Sequence, residues 1–144
     1  LSGSIGDGHS VASAIALGAD FAYLGTRFIA TEEANAEPEY KKMLEESAAK
    51  DIVYSSLFTG VLGNYLKPSI ENAGMDPENL PDADKTSMNF GSGGNTDSKA
   101  WKDIWGSGQG IGGIQDSPSV SELVGRLKKE YEEAFNEFKS KMGV

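Results

Sequence analysis

The chain has 144 residues, of which 38% are hydrophobic and 24% are charged, and its formal net charge is −9. This length and composition predict one folded domain and not a disordered chain. Without cysteine and with a single histidine, disulfides, thiolate catalysis and cysteine- or histidine-rich metal sites are excluded, while the acidic balance disfavours nucleic acid and anionic membranes as partners.

The first thirty residues predict a glycine-rich loop, a helix and a strand. The loop is SGSIGDGHS, residues 2–10, and Asp7 within it is a suitable N-cap for a helix over residues 7–17 that Gly18 ends. The apolar run FAYLG, residues 21–25, is typical of a buried strand in a parallel sheet. This order is half of a βαβ unit, and its first strand is expected to precede the chain.

The middle of the chain has weaker signals. Residues 39–50 predict a helix, residues 51–61 predict an extended segment, and the chain after Pro68 predicts a weak helix. Residues 74–98 are rich in Gly, Asn, Asp, Ser and Pro and lack apolar periodicity. They therefore predict a long, mobile surface loop.

The last segment has the clearest helix pattern. Ser119 and Glu122 form a capping box. The apolar residues that follow recur with a period of about 3.6 residues; they are Val120, Leu123, Val124, Leu127, Tyr131, Ala134, Phe135 and Phe138. A helix with this pattern is expected to pack its apolar face against a large surface.

Two glycine-bearing turns predict an anion site. The first contains Gly3 and Ser4, and the second contains Gly25 and Thr26. In a parallel α/β barrel, the loops after the last two strands commonly form a phosphate pocket. Glycine lets backbone amides approach phosphate oxygens, Ser4 and Thr26 can add hydroxyl donors, and the helix that starts near Gly8 would add the positive end of its dipole. Each turn could equally be an ordinary connection between a strand and a helix.

Other polar residues near the turns have less specific signals. His9 could act as a general acid or base, but an ordinary first-turn helix residue is the favoured interpretation. Arg27 could pair with phosphate or form a salt bridge to Glu32 or Glu33. This acidic pair is interpreted as charge in the first turn of a helix and not as a catalytic dyad. No catalytic base and no metal site are predicted within the chain.

The second half of the chain contains two aromatic or glycine-rich signals. Trp101 and Trp105 could stack on a ring, but they are expected to pack against the fold or to cover its mouth. Residues 106–113, GSGQGIGG, match a dinucleotide-binding loop only in their glycine count. They lack the preceding strand and the following helix, so the dinucleotide-binding interpretation is rejected.

Three stretches of the chain resemble one known family. GSIGDGHSVASAIALGADFAYLGTRFIATEEA resembles the C-terminal barrel portion of nitronate monooxygenases, formerly called 2-nitropropane dioxygenases. LFTGVLGNYLKPSI and DIWGSGQGIGGIQDSPSVSELVGRLKKEY look like the tail of a bacterial branch of that family. The piece LGTRFIATEE is fairly specific for the wider group of flavin barrels, and the tail pieces narrow the resemblance further.

The resemblance implies an α/β fold, the C-terminal part of a flavin-binding (β/α)8 TIM barrel, in an enzyme that oxidises alkyl nitronates with dioxygen. Family members hold the phosphate of FMN with a Gly-Gly-Ile turn and a Gly-Thr turn. Gly3 and Ile5 match the first turn, in which Ser4 replaces the second glycine and adds a Cβ. Gly25 and Thr26 match the second turn without change. No catalytic residue is carried over, because the family's catalytic histidine lies upstream of this region.

The resemblance also implies three segments. Residues 1–50 would contain the last βα units of the barrel with the phosphate turns, residues 51–115 a substrate-side insertion, and residues 116–144 a C-terminal helix packed on the barrel. A closed barrel needs about eight strands. This portion alone is therefore expected to be inactive and to leave hydrophobic faces open on residues 21–25 and on the final helix.

Two other functions stay open from the sequence. One is an FMN-dependent enoyl-ACP reductase, whose barrel shares a GTRF-like turn, and the other is a non-catalytic module that binds a phosphorylated ligand or a protein. The favoured function implies a small nitronate and O2 as partners and is compatible with a homodimer. No apolar run approaches the roughly 18 residues of a membrane span and no signal peptide is recognised, so a cytoplasmic location is expected.

Overall fold

A computed structural model describes residues 1–81 and 103–143. The helices are α1 (Gly8–Ala16), α2 (Thr26–Ile29), α3 (Pro38–Glu46), α4 (Lys67–Asn72) and α5 (Val120–Met142); the strands are β1 (Ile52–Ser55) and β2 (Gly63–Leu66); short 3₁₀ helices lie at Ala49–Asp51 and Gln109–Gly113. The chain divides into two compact units. The first is Leu1–Glu46 with Gly110–Val144, and the second is Ser47–Gln109.

Helix α1 begins and ends where its sequence predicts. The carboxylate of Asp7 accepts the amide of Ser10 at 2.7 Å. The hydroxyl of Ser10 in turn accepts the amides of Gly6 and Asp7, each at 3.1 Å. At the other end Gly18 has a φ of +91°, a left-handed conformation that ends helices. The local caps therefore set both boundaries of this helix.

The predicted strand over residues 21–25 is reduced to a single parallel bridge between Ser2 and Tyr23. The amide of Tyr23 donates to the carbonyl of Leu1 at 2.8 Å, and the backbone nitrogen of Leu1 donates to the carbonyl of Phe21 at 2.7 Å. Phe21 and Tyr23 have exposed fractions of 83% and 71%. The buried strand predicted from composition is therefore not formed here, whereas the open hydrophobic face expected on residues 21–25 of this portion is observed.

Helix α5 packs closely on α1 in the first unit. A Cβ built on Gly8 would lie 2.2 Å from the carbonyl oxygen of Leu127 and 2.4 Å from the amide nitrogen of Tyr131, so only glycine fits at this crossing. Leu123 on α5 is fully buried, whereas Phe135 and Phe138 farther along are exposed. The predicted helix and its capping box are confirmed. Part of its apolar face is open, as the sequence led us to expect.

The second unit is built on an antiparallel hairpin that the sequence predicted only in part. β1 pairs with β2 in the register Ile52↔Leu66 to Ser55↔Gly63, and β2 was missed. Four buried side chains form the core behind this hairpin; they are Phe58, Tyr65, Ile70 and Ile104. Helix α4 starts directly after β2 and has Pro68 in its first turn, where proline is tolerated because the early amides have no helical partner.

Several boundaries differ from those predicted. Helix α3 ends at Glu46, four residues before the predicted end, and a 3₁₀ turn follows it at Ala49–Asp51. Most of the predicted loop over residues 74–98, together with Trp101, lies outside the described residues. Within the described part of the chain, no helix combines the length and the apolar composition needed to cross a bilayer.

Replacing Gly8 with alanine tests the crossing of α1 and α5. The added Cβ would collide with the backbone of α5, which cannot move aside as a flexible side chain could, and we expect the free energy of unfolding to fall by about 3 kcal/mol. Gly125→Ala is the matched control, because a Cβ there meets nothing within 4 Å and alanine favours the helix by up to about 1 kcal/mol. Urea unfolding measures both variants, and equal stabilities would contradict the crossing.

Candidate functional site

The parallel bridge brings the two glycine turns to the same edge. Gly3 directly follows Ser2, and Gly25 lies two residues after Tyr23, while Ser2 and Tyr23 are the bridged pair. Because the two segments run parallel, the chain leaves both of them in the same direction. The first unit therefore places the turn at Gly3 beside the turn at Gly25.

The first turn has a left-handed backbone at two successive residues. Gly3 has a φ of +94° and Ser4 a φ of +56°. Glycine adopts this conformation without strain, but for serine it costs about 1 kcal/mol. A Cβ built on Gly110 would lie 3.1 Å from the backbone of Ser4. The 3₁₀ helix that contains Gly110 thus contacts the turn directly and supports its shape.

The second turn leads straight into the short helix α2. Gly25 is its N-cap and is exposed, and the amide of Phe28 donates to the carbonyl of Gly25 at 3.0 Å. An open groove of about 400 Å³ adjoins this turn, and Gly25, Phe28 and Tyr40 are among the residues that line it. Burial raises the pKa of Tyr40 to about 12, so its phenol stays protonated at neutral pH.

The N-terminus of helix α1 is capped by side chains of the protein itself. The amide of Gly8 donates to Oε2 of Glu130 on α5 at 2.8 Å, and Asp7 and Ser10 satisfy the neighbouring amides. Burial opposes ionisation of Asp7, but hydrogen bonds from the hydroxyl and amide of Ser10 lower its pKa below the usual value. Two carboxylates therefore already complement the positive end of the α1 dipole, and its contribution to a phosphate stays a prediction.

Arg27 pairs with neither of the two acidic residues considered from the sequence. Its side chain is only 3% exposed. Its Nη1 donates to the carbonyls of Ala30 at 3.1 Å and Asp116 at 3.0 Å, and its Nη2 donates to Oδ1 of Asp116 at 2.9 Å. The guanidinium therefore joins α2 to the segment that precedes α5, and it does not pair with Glu32 or Glu33.

A second arginine shares Asp116. Arg126 on α5 donates to Oδ1 at 2.9 Å and to Oδ2 at 2.6 Å. The hydrogen bond from Arg126 lowers the pKa of the Asp116 carboxyl, burial raises it less, and the charge of Arg27 lowers it further. The three side chains form a connected group, which we call the Arg27–Asp116–Arg126 cluster.

The acidic pair has a role different from the predicted one. Residues 32 and 33 lie in a turn and not in a helix. The carboxylate of Glu33 accepts the amide of Val120 at 2.8 and 3.0 Å, while Glu32 contributes a backbone bond to Pro118. Glu33 thus satisfies the first amide of α5. His9 is an exposed residue in the first turn of α1, the position favoured for it.

The remaining sequence signals contribute no further site. Trp105 belongs to the second unit, and its backbone amide donates to the hydroxyl of Ser69 at 3.0 Å. Among residues 1–81 and 103–143, no group of three or more histidine or carboxylate side chains could hold a metal ion. Four residues that contact the turns or the helices next to them were not predicted from the sequence, namely Gly110, Asp116, Arg126 and Glu130. Gly8 was the one local sequence signal of the close contact between α1 and α5.

A family profile and one related protein both indicate the same family. The profile of the nitronate monooxygenase family matches residues 2–130. A nitronate monooxygenase of Paraburkholderia phytofirmans is 30% identical over 142 residues, which are 95% of this chain and 38% of that protein. The chain therefore spans well under half the length of this relative.

Two solved structures share the fold of the chain. A nitroalkane oxidase from Streptomyces ansochromogenes superposes with a TM-score of 0.69 and 24% identity, over 95% of this chain and 40% of that one. FabK from Thermotoga maritima superposes with a TM-score of 0.67 and 21% identity, over 96% of this chain and 45% of that one. At these identities the structures show a common fold and nothing finer.

The Arg27–Asp116–Arg126 cluster predicts a specific pH dependence. Arg126 and, to a smaller extent, Arg27 lower the pKa of Asp116 from 3.8, and burial opposes them. Its stabilisation is therefore complete above pH 3.8 and is lost as the pH falls through the lower folded-state pKa. We expect Asp116→Asn to reduce the free energy of unfolding by roughly 2 kcal/mol at neutral pH, with the difference from the unmodified protein shrinking in acid.

Urea unfolding over a series of pH values measures this difference. Asp20→Asn is the control, because Asp20 is exposed and forms no ion pair within the described ranges. The control should behave like the unmodified protein throughout. A constant difference between Asp116→Asn and the unmodified protein from neutral pH to strong acid would contradict the predicted ionic role.

Proposed function

The chain belongs to the nitronate monooxygenase family, and from that premise we propose that it is the phosphate-binding end of an FMN-dependent enzyme that oxidises alkyl nitronates with O2. The observation that carries this proposal is the parallel bridge between Ser2 and Tyr23. It sets the turn at Gly3 and the turn at Gly25 side by side. Two adjacent amide-rich turns suit one phosphate dianion better than either turn alone.

The residues of the two turns fit a phosphate group. Gly3, Ser4 and Gly25 are exposed, and a Cβ built on Gly3 or Gly25 would meet no described atom within 4 Å. The amides of Ser4 and Ile5 donate to no acceptor within residues 1–81 and 103–143. Space and backbone donors are thus present where the phosphate would lie. In the first turn Gly3 has no Cβ, and Ser4 has one.

This chain's own residues would bind and orient the cofactor. The amides of Ser4 and Ile5 would donate to the phosphate from one side, and the amide and hydroxyl of Thr26 from the other. When bound, FMN supplies the redox chemistry, taking electrons from the nitronate and passing them to O2. Fixing the phosphate would hold the flavin at a constant position, which lowers the entropic cost of orienting it against the substrate.

The catalytic base is proposed to lie outside this chain. The chain corresponds to 38% of the length of its curated relative, and among residues 1–81 and 103–143 none near the two turns has the exposure and partners of a poised base. Asp7 and Glu130 serve α1, and Asp116 serves two arginines. We therefore propose that the parent enzyme supplies the base and the flavin-ring contacts from its other segments.

The second candidate function is that of an FMN-dependent enoyl reductase. It would use the same two phosphate turns, and the fold likeness to FabK is the observation that favours testing it. The two candidates differ in what reduces the flavin, since an enoyl reductase takes hydride from NAD(P)H and a nitronate oxidase takes electrons from its substrate.

Substrate assays on the purified full-length protein separate these candidates. We expect flavin absorbance, O2 consumption with a short alkyl nitronate, and no NAD(P)H oxidation with an enoyl thioester. The reverse pattern of activity would support the enoyl reductase. A protein purified without flavin and inactive in both assays would contradict both candidates and favour a module that binds another phosphorylated ligand.

Replacing Thr26 with alanine tests the second turn. Loss of a hydroxyl that donates to a charged phosphate costs roughly 1.5–3 kcal/mol, so FMN should bind about tenfold to a hundredfold more weakly. Flavin fluorescence during titration of the full-length apoprotein measures the Kd. Thr59→Ala removes a similar hydroxyl in the second unit and should leave the Kd unchanged. An unaltered Kd for Thr26→Ala would contradict the proposed contact between this hydroxyl and the phosphate.

A further inference from the structure

We infer that Arg27 is a positioning residue that fixes the second phosphate turn through the Arg27–Asp116–Arg126 cluster. The inference rests on the proposed function, because it concerns how the turn at Gly25 and Thr26 is held ready for a phosphate. Arg27 follows Thr26 directly, and both belong to α2. A group that fixes Arg27 therefore also limits where the amide and hydroxyl of Thr26 can lie.

The position of the guanidinium excludes a direct contact between Arg27 and the ligand. Arg27 is 3% exposed, while Gly25 is exposed and Thr26 is half-buried. The guanidinium has bonds to the carbonyls of Ala30 and Asp116 and to the Asp116 carboxylate, at 2.9 to 3.1 Å. Turning it toward the open side of the turn would break these bonds, including the ion pair with the partly exposed Asp116.

Asp116 is itself held independently of Arg27. Arg126 donates to both of its carboxylate oxygens, at 2.9 and 2.6 Å. This bidentate arrangement gives arginine–carboxylate pairs their geometric specificity. Arg126 belongs to α5, whose N-terminus is capped by Ser119 and by Glu33. The anchor point for Arg27 is therefore part of a long, well-capped helix.

Helix α2 needs such an anchor. It contains four residues, and so short a helix is unstable alone, because forming the first turn fixes several residues for very few hydrogen bonds. The bond from Arg27 to the carbonyl of Ala30 closes the C-terminal end of α2, and the bonds to Asp116 fix its orientation. Without them the turn would be ordered only on binding FMN, and that ordering would weaken the affinity.

A double-mutant cycle in the full-length flavoprotein tests the inference. Arg27→Lys keeps the charge and most of the volume, but an ammonium cannot reproduce the planar fork that reaches Ala30 and Asp116 together. We expect this variant to bind FMN about tenfold more weakly. Combined with Thr26→Ala, it should add little to the loss caused by Thr26→Ala alone, because both changes remove the same contact.

Two controls separate positioning from general stability. Ile70→Val trims a fully buried side chain in the core of the second unit and should lower the Tm while changing the Kd for FMN less than about twofold, because Ile70 lies outside the cluster. Thr59→Ala, combined with Arg27→Lys, should show no coupling in FMN binding. Circular dichroism of each apoprotein establishes that the titrated material is folded.

The outcomes distinguish this inference from the proposed function. A folded Arg27→Lys protein with unchanged FMN affinity would overturn the inference and leave the proposed function standing. The same holds if the fold-loss in FMN affinity of the double variant equals the product of the losses of Arg27→Lys and Thr26→Ala. A parent protein that binds no FMN would overturn the proposed function. If Arg27→Lys fails to fold, the milder Asp116→Asn replaces it in the same cycle, with the same coupling to Thr26 expected and its absence contradicting the inference.

Discussion

The parallel bridge between Ser2 and Tyr23 is the contact on which the candidate site depends. It consists of very few backbone hydrogen bonds, yet it fixes the direction in which the chain leaves the bridge toward both turns. Had the two segments paired antiparallel, the turns at Gly3 and Gly25 would lie at opposite ends. The proposed shared phosphate site and the proposed role of Thr26 both depend on this arrangement.

Helix α5 connects both turns to the rest of the first unit. It contacts the N-terminus of α1, which follows the first turn, through Glu130, which accepts the amide of Gly8. It is connected to the second turn through Arg126, which shares Asp116 with Arg27. The carboxylate of Glu130 also complements the positive end of the α1 dipole. A helix far along the chain thus sets the geometry of two turns near its start.

The sequence predicted what local chemistry determines. The caps at Asp7 and Ser119 gave the boundaries of α1 and the start of α5, because capping depends on residues only a few positions apart. The pairing of Arg27 with Asp116 spans 89 residues and leaves no periodic pattern, so no local argument could find it. The strand over residues 21–25 was predicted from composition, but its length depends on the partner segment. The assignment of phosphate contacts to the turns remains a prediction.

The central claim is that both turns hold one phosphate. A crystal structure of the full-length protein with FMN bound tests it most directly, because it locates the phosphorus atom relative to both turns. The account predicts phosphate oxygens at hydrogen-bond distance, roughly 2.7–3.2 Å, from amides of the turn at Ser4 and of the turn at Thr26. A phosphate that contacts only one of the turns, or that lies elsewhere in the protein, would contradict it.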